Sequence, residues 1–212
     1  RPPRSPLFPY TTLFRSDAAA VEIHPDGSAT ERTHQIFHAV DQQGVDQLGE
    51  TNVPNGADVL ALQTIKPDGR SLEPDLTAGG KDSVSLAGLE PGDFVRFEYV
   101  RAVGSGHGLA GADGYAADRF FFQVVGTPLF RSVYAVSAPR GAGLAADAHN
   151  MEPPPVRTEG EREVVRALRT RVPALVPEPG SPGLQEILPF VQVGVGGGRE
   201  SFQLAMGDAV IE

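Results

Sequence analysis

Alternation of apolar and polar residues with a period of two runs through most of the chain. It is clearest in FVRFEYVRAV, from Phe94, where Val95, Phe97 and Tyr99 alternate with Arg96 and Glu98. That is the pattern of a strand with one buried and one wet face. Similar runs predict strands at AAVEI (19–23), ATERTHQIFHAV (29–40), VLALQTI (59–65) and RSLEP (70–74). Further strands are expected at 119–125, 130–138, 162–170 and 187–195. The stretch EREVVRALR (161–169) also places Val164, Val165 and Leu168 at helical spacing, yet it reads better as a strand. Near the end, SFQLAMGDAVI offers a short helix with Ser201 as its N-cap.

Turn residues punctuate these runs. His24-Pro25-Asp26-Gly27 and Lys66-Pro67-Asp68-Gly69 share the pattern x-Pro-Asp-Gly, in which Pro presets φ and Gly accepts the left-handed conformation. Both predict hairpins. Glu90-Pro91-Gly92-Asp93 suits a type II turn leading into the strand from Phe94. Many short strands with frequent turns imply a mainly β fold, an antiparallel sandwich of packed sheets.

Composition sharpens this picture in three respects. The 25 Gly and 19 Pro of the 212 residues favour turns over long helices, and no apolar run approaches the ~18–20 residues of a membrane span. The net charge of −9 argues against a nucleic-acid partner, whose phosphates need clustered Lys and Arg. The absence of Cys excludes disulfides, thiolate metal sites and a Cys nucleophile.

The stretch SPLFPYTTLFRS (5–16) does not fit an export signal, because Pro9, Tyr10, Thr11 and Thr12 interrupt its apolar core. Leu7 to Ser16 match, in register, the translation of a widely used sequencing adapter. Residues 1–16 are therefore expected to be a non-native tail that packs poorly, with the natural chain beginning near Asp17. Setting them aside leaves 15 basic against 27 acidic residues, a balance of −12.

Candidate chemistry is sparse. Gly106-His107-Gly108-Leu109-Ala110-Gly111 is formally GxGxxG, but a dinucleotide site needs a helix to start there and an acid ~20 residues on. Ala112-Asp113-Gly114-Tyr115 looks like a turn instead, so a loop between strands is the better reading. His34 and His38 would share a helix face, whereas on a strand they lie ~13 Å apart, too far for one zinc ion. His24 could approach across a hairpin, and the three are read as ordinary strand positions. Asp26, Asp68, Glu90 and Asp93 supply carboxylates beside turns, where such groups usually bond to local backbone. Nothing pairs any two of them for glycoside hydrolysis, and no GxSxG elbow marks a Ser nucleophile. No catalytic, cofactor-binding or metal-binding residue is assigned, and no cofactor is implied.

EIHPDGSATERTHQIFHAVDQQGVDQLGE, VLALQTIKPDGRSLEP and SVSLAGLEPGDFVRFEY together resemble a bacterial domain of unknown function that precedes a transglutaminase-like domain. FFFQVVGTPLFRSVYAVSAP and the segment from RVPALVPEP to LPFVQVGV are similar to its second half. The resemblance covers Val21 to about Val195. It implies an immunoglobulin-like β-sandwich over 17–195, with 196–212 as the lead-in to a transglutaminase-like domain that carries a Cys-His-Asp triad. Pro67, Asp68, Gly69, Leu89, Pro91, Gly92 and Asp93 are then architectural. The expected role is that of a non-catalytic accessory domain whose partner is the downstream domain, with envelope peptides or proteins as substrates and a periplasmic or exported location. The alternative is an independent carbohydrate- or peptide-binding sandwich, which the lack of Trp does not favour.

Overall fold

A computed structural model describes residues 12–74, 83–108 and 114–196. The helix expected from Ser201 and residues 109–113 lie outside them. The first half of the chain builds β1 (Thr12–Ile23), β2 (Ala29–Ala39), α1 (Gln42–Leu48), β3 (Glu50–Asn52), β4 (Ala57–Ile65), β5 (Ser71–Leu72), β6 (Ser83–Ser85) and β7 (Phe94–Val103). The second half builds β8 (Gly114–Ala116), β9 (Phe120–Phe121), β10 (Leu129–Pro139), β11 (Ala145–His149), β12 (Arg157–Glu159), β13 (Arg162–Val172), α2 (Leu184–Ile187) and β14 (Phe190–Gly196).

One large sheet runs β12-β13-β10-β1-β2-β7-β4-β5, and a smaller one is formed by β11, β14 and β8, with β9 also paired to β14. The two pack face to face as a sandwich, the mainly β architecture that the alternation predicts. Val21, Ile23, Tyr134, Val136 and Val165 from the large sheet meet Tyr115, Val191, Val193 and Val195 from the small one, all buried. Each fully buried aliphatic or aromatic side chain of this kind contributes roughly 1.5–3 kcal/mol. A second cluster, Leu62, Leu86, Val95 and Phe97, lies at the other end beneath Leu48 and Val84.

The x-Pro-Asp-Gly turns form as expected. Gly27 N–H donates to the His24 carbonyl at 3.0 Å and Gly69 N–H to the Lys66 carbonyl at 2.9 Å, with both glycines at positive φ. Glu90 to Asp93 close a turn through Asp93 N–H to the Glu90 carbonyl at 3.1 Å, with Gly92 at φ 95° in the position a type II turn reserves for glycine. Residues 162–172 are a strand, β13, antiparallel to β10.

Four details depart from the sequence reading. The sheet is not wholly antiparallel, because β1 and β10 pair in parallel, Val21 opposite Val136. The chain reaches β10 only after crossing to the small sheet, and so returns to the free side of β1 in its own direction. The strand expected at 119–125 shrinks to Phe120–Phe121: Gly126, at φ 69°, turns the chain so that Val124 pairs back onto Thr127. The strand expected at 187–195 starts at Phe190, after the short α2. Finally, Asp17 is not an element boundary. β1 begins at Thr12, inside the segment expected to pack poorly, and its backbone pairs with β2 from Thr12 opposite Ala39. A strand flanked on both sides offers ladder partners to any residues that continue it, whatever their origin.

Candidate functional site

The residues singled out in the sequence are mostly used for turns. Asp26 accepts from the Ser28 hydroxyl at 2.6 Å and its N–H at 3.0 Å, and these bonds hold its carboxyl below the usual range. Asp68 does the same with Arg70, backbone first and guanidinium second. His24 Nε2 lies 3.0 Å from Thr30 Oγ1 across the hairpin. His34 sits opposite Ala18 and Glu98 in the ladder, and the His38 ring stacks on Phe94 at 4.5 Å. Among the described residues no three metal-ligating side chains converge. In the glycine-rich loop, Gly106 N–H donates to the Gly114 carbonyl and the His107 carbonyl accepts from Ala116 N–H, so the chain leads into β8 and not into a helix. Leu109, Ala110 and Gly111 lie outside the described residues.

Glu90 and Asp93 do meet, on a shared cation. Lys66 Nζ donates to the Gly88 carbonyl at 2.6 Å and to Glu90 Oε2 and Asp93 Oδ2 at 2.8 Å each. Asp93, 2 % exposed, also accepts from Glu90 N–H at 2.8 Å. This is a clamp between two turns. The ammonium's three protons are all spent, and the bonds to Asp93 first and Glu90 second raise its pKa.

The more distinctive cluster was not anticipated. Glu31 on β2 and Arg101 on β7 occupy the inward-facing register of their strands, directly opposite each other. Arg101 donates to Glu31 Oε2 from Nε at 2.9 Å and from Nη2 at 2.6 Å. The other carboxylate oxygen accepts from Tyr115 Oη at 2.5 Å. Tyr115 is fully buried, and burial, followed by its bond to Glu31, pushes its pKa far up. Together they wall a cavity of about 160 Å³ whose other sides include Asp118, Phe120 and Tyr134. Tyr134 is 2 % exposed and its hydroxyl has no partner. Burial raises its pKa, helped by the carboxylates of Glu31 and Asp118. Phe120 lies flat against the Tyr134 ring at 4.8 Å. The signal was present in the sequence: in FVRFEYVRAV, Arg101 falls on the apolar parity of Val95, Phe97 and Tyr99, a charge in a register otherwise given to the core.

A second polar spot lies further along the same sheet. Asp17 accepts from Gln35 Nε2 at 3.0 Å, and burial pushes its carboxyl up despite that bond. Its neighbour across the parallel pair, Ser132, is fully buried with an unpartnered hydroxyl.

No protein-family model matches the sequence, and no curated protein does. Solved structures do. A candidate protease from Parabacteroides distasonis superposes with a TM-score of 0.70 at 18 % identity, over 87 % of this chain and 40 % of the other. An M1 zinc metallopeptidase from Deinococcus radiodurans aligns over 86 % of this chain and 42 % of its own, with a TM-score of 0.45 at 13 % identity. The first likeness establishes the shared β-sandwich fold. The chain spans well under half the length of either protein. Among the described residues no helix is long and apolar enough to cross a membrane.

Proposed function

We propose that this chain is a non-catalytic accessory β-sandwich of a longer, transglutaminase-like bacterial protein, and that it supports or positions a catalytic domain. The observation that carries this reading is the likeness to the candidate protease: the sandwich corresponds to 40 % of a longer chain, as a module within a larger protein would. Two features agree with it. The sequence has no Cys, so the thiolate of a Cys-His-Asp site must come from elsewhere. The motif residues Pro67, Asp68, Gly69, Pro91, Gly92 and Asp93 are turn residues, with Asp93 fastened to Lys66. Cys-His-Asp chemistry proceeds through an acyl-enzyme and serves amide hydrolysis and transamidation alike. A fold neighbour described as a candidate protease and a transglutaminase-like domain would both act on peptide amides.

The genomic sequence around this coding region provides the test. The reading frame is expected to continue into a segment with Cys, His and Asp within ~150 residues, one domain's length. The longer protein should then cleave or transfer peptide amides, and lose most of that activity when residues 17–196 are deleted. An extended frame without the three residues overturns the proposal.

A further inference from the structure

Three turns among the described residues place glycine directly after Asn or Asp: Asp26-Gly27, Asn55-Gly56 and Asp68-Gly69. At such a pair the glycine nitrogen can close on the preceding side-chain carbonyl carbon to form a five-membered imide, and a residue without Cβ hinders that approach least. The fold guards two of the three. Gly27 N–H and Gly69 N–H are spent on the His24 and Lys66 carbonyls. Asp26 accepts from the Ser28 hydroxyl and N–H, and Asp68 from the Arg70 N–H and guanidinium. These bonds hold both carboxyls below their usual range, in the ionised form that resists attack by a nitrogen nucleophile. Asn55 has neither guard. The bond closing its turn runs one residue later, from Ala57 N–H to the Pro54 carbonyl at 3.1 Å, so the Gly56 N–H donates to no described group. Both residues are exposed, the Asn55 amide makes no hydrogen bond among the described residues, and the space a Gly56 Cβ would take is empty to 4 Å. The other two Asn are held or screened. Asn150 Nδ2 donates to the Glu186 carbonyl at 2.9 Å, and Asn52 lies in β3, opposite Ser83 and ahead of the β-branched Val53.

We infer that Asn55 is a site of spontaneous covalent modification. The Gly56 nitrogen attacks Asn55 Cγ: the N–Cγ bond forms, the Cγ–Nδ2 bond breaks, and the departing amide nitrogen takes the Gly56 proton and leaves as ammonia. Water then opens the imide. Cleavage of the N–Cγ bond leaves an aspartate, and cleavage of the bond to the backbone carbonyl leaves a β-linked isoaspartate. Only water is consumed. Either product adds a carboxylate, three residues before Asp58, to a chain of net charge −9. The isoaspartate also lengthens the backbone by one methylene just ahead of β4, whose ladder with β7 starts at Ala57 opposite Arg101. That end of β4 therefore loosens as the molecule ages. The inference stands apart from the accessory role and holds or fails independently of it.

The experiment incubates the whole chain in neutral H₂¹⁸O buffer, folded and in guanidinium chloride, and follows it by peptide mapping with mass spectrometry. Asn55 is expected to become an acid carrying one ¹⁸O, at least ~10-fold faster than Asn52 or Asn150. An exposed, unbonded site gains no shelter from the fold, so the folded rate should lie within ~10-fold of the unfolded one. Fragmentation that cleaves the backbone beside the β-linkage separates aspartate from isoaspartate, and amide exchange at residues 57–59 should quicken in the isoaspartate form. Asn55→Gln alters an exposed side chain, so it should fold as the parent does. Its imide would be a slower-closing six-membered ring, and the conversion should vanish. An amide that persists at Asn55, an acid without ¹⁸O, or conversion that continues in Asn55→Gln would overturn the inference. So would a folded rate more than ~10-fold below the unfolded one. Unchanged exchange at 57–59 would overturn the loosening of β4.

Discussion

Lys66 and Asp93, 27 residues apart in the sequence, meet at 2.8 Å and fasten the hairpin of β4 and β5 to the turn that launches β7. Asp93 is buried while Lys66 is only partly so, and truncating Asp93 leaves the Lys66 ammonium without its best-shielded partner. Asp93→Ala is expected to lower the unfolding free energy by about 2–4 kcal/mol. Glu90, whose side chain is 74 % exposed, contributes little beyond a surface ion pair, and Glu90→Ala should cost under ~1 kcal/mol. Urea denaturation of the two variants checks the contrast.

Glu98 on β7 is buried between Arg32 on β2 and Arg96. Burial works to raise its pKa, but the hydrogen bonds from Arg32 and then Arg96 outweigh it and hold the carboxyl below the ordinary value. A carboxyl depressed in the fold stabilises fully above its unfolded pKa and loses that contribution as the pH falls through the folded one. Stability should therefore decline below about pH 4.5, and Glu98→Gln should flatten that acid limb. Urea midpoints measured from pH 7 to pH 3 report it.

Asp17 predicts the opposite sign. Its carboxyl is raised by burial, so its ionised form is disfavoured in the fold, and the penalty grows as the pH rises from the unfolded value of 3.8 through the folded one. Asp17→Asn keeps an acceptor for Gln35 and removes the charge. It should raise the melting temperature at pH 7 and leave it unchanged near pH 3, as scanning calorimetry can measure.

Gly108 and Gly126 share a left-handed backbone, at φ 68° and 69°, but not their surroundings. A Cβ on Gly108 would lie 2.5 Å from the Ala116 carbonyl oxygen, whereas one on Gly126 meets nothing within 4 Å. Gly126→Ala should cost about 1 kcal/mol of conformational strain and Gly108→Ala at least twice that. Thermal unfolding of the two alanine variants separates strain from collision.

Tyr115 and Tyr134 offer a third contrast. Tyr115→Phe takes a donor from Glu31 inside the core and should cost about 1–2 kcal/mol. Tyr134→Phe removes a buried hydroxyl without a hydrogen-bond partner and should be neutral or stabilising. Chemical denaturation of both proteins is the measurement.

What the sequence disclosed follows from the range over which each signal acts. The three turns were legible because Pro, Asp and Gly fix φ within four residues. The β7 strand was legible because its alternation is local, and Arg101 was visible there as a charge on the apolar parity. Glu98 was not. It lies on the wet parity yet is 3 % exposed, because Arg32 arrives over it from a strand 66 positions away in sequence. Helix α1 escaped because Gly44 sits inside a segment of only seven residues, and its one marker, Asp41 capping the Gly44 N–H at 3.0 Å, resembles an ordinary turn. The cavity was hidden for a similar reason: Glu31, Arg101, Tyr115 and Tyr134 come from four strands, and their convergence depends on how the two sheets face each other.

The parallel seam between β1 and β10 dictates an order of events during synthesis. Strands β1, β2, β7, β4 and β5 emerge from the ribosome first and can assemble by antiparallel neighbours, but β1 then presents a bare edge until residues 129–139 arrive. At ~5–20 residues per second, the interval between β7 and β10 leaves that edge open for a few seconds, the kind of exposure that invites pairing between nascent chains. Chains that stop short of β10 should therefore accumulate as aggregates, while those that pass it close the sheet and remain dispersed.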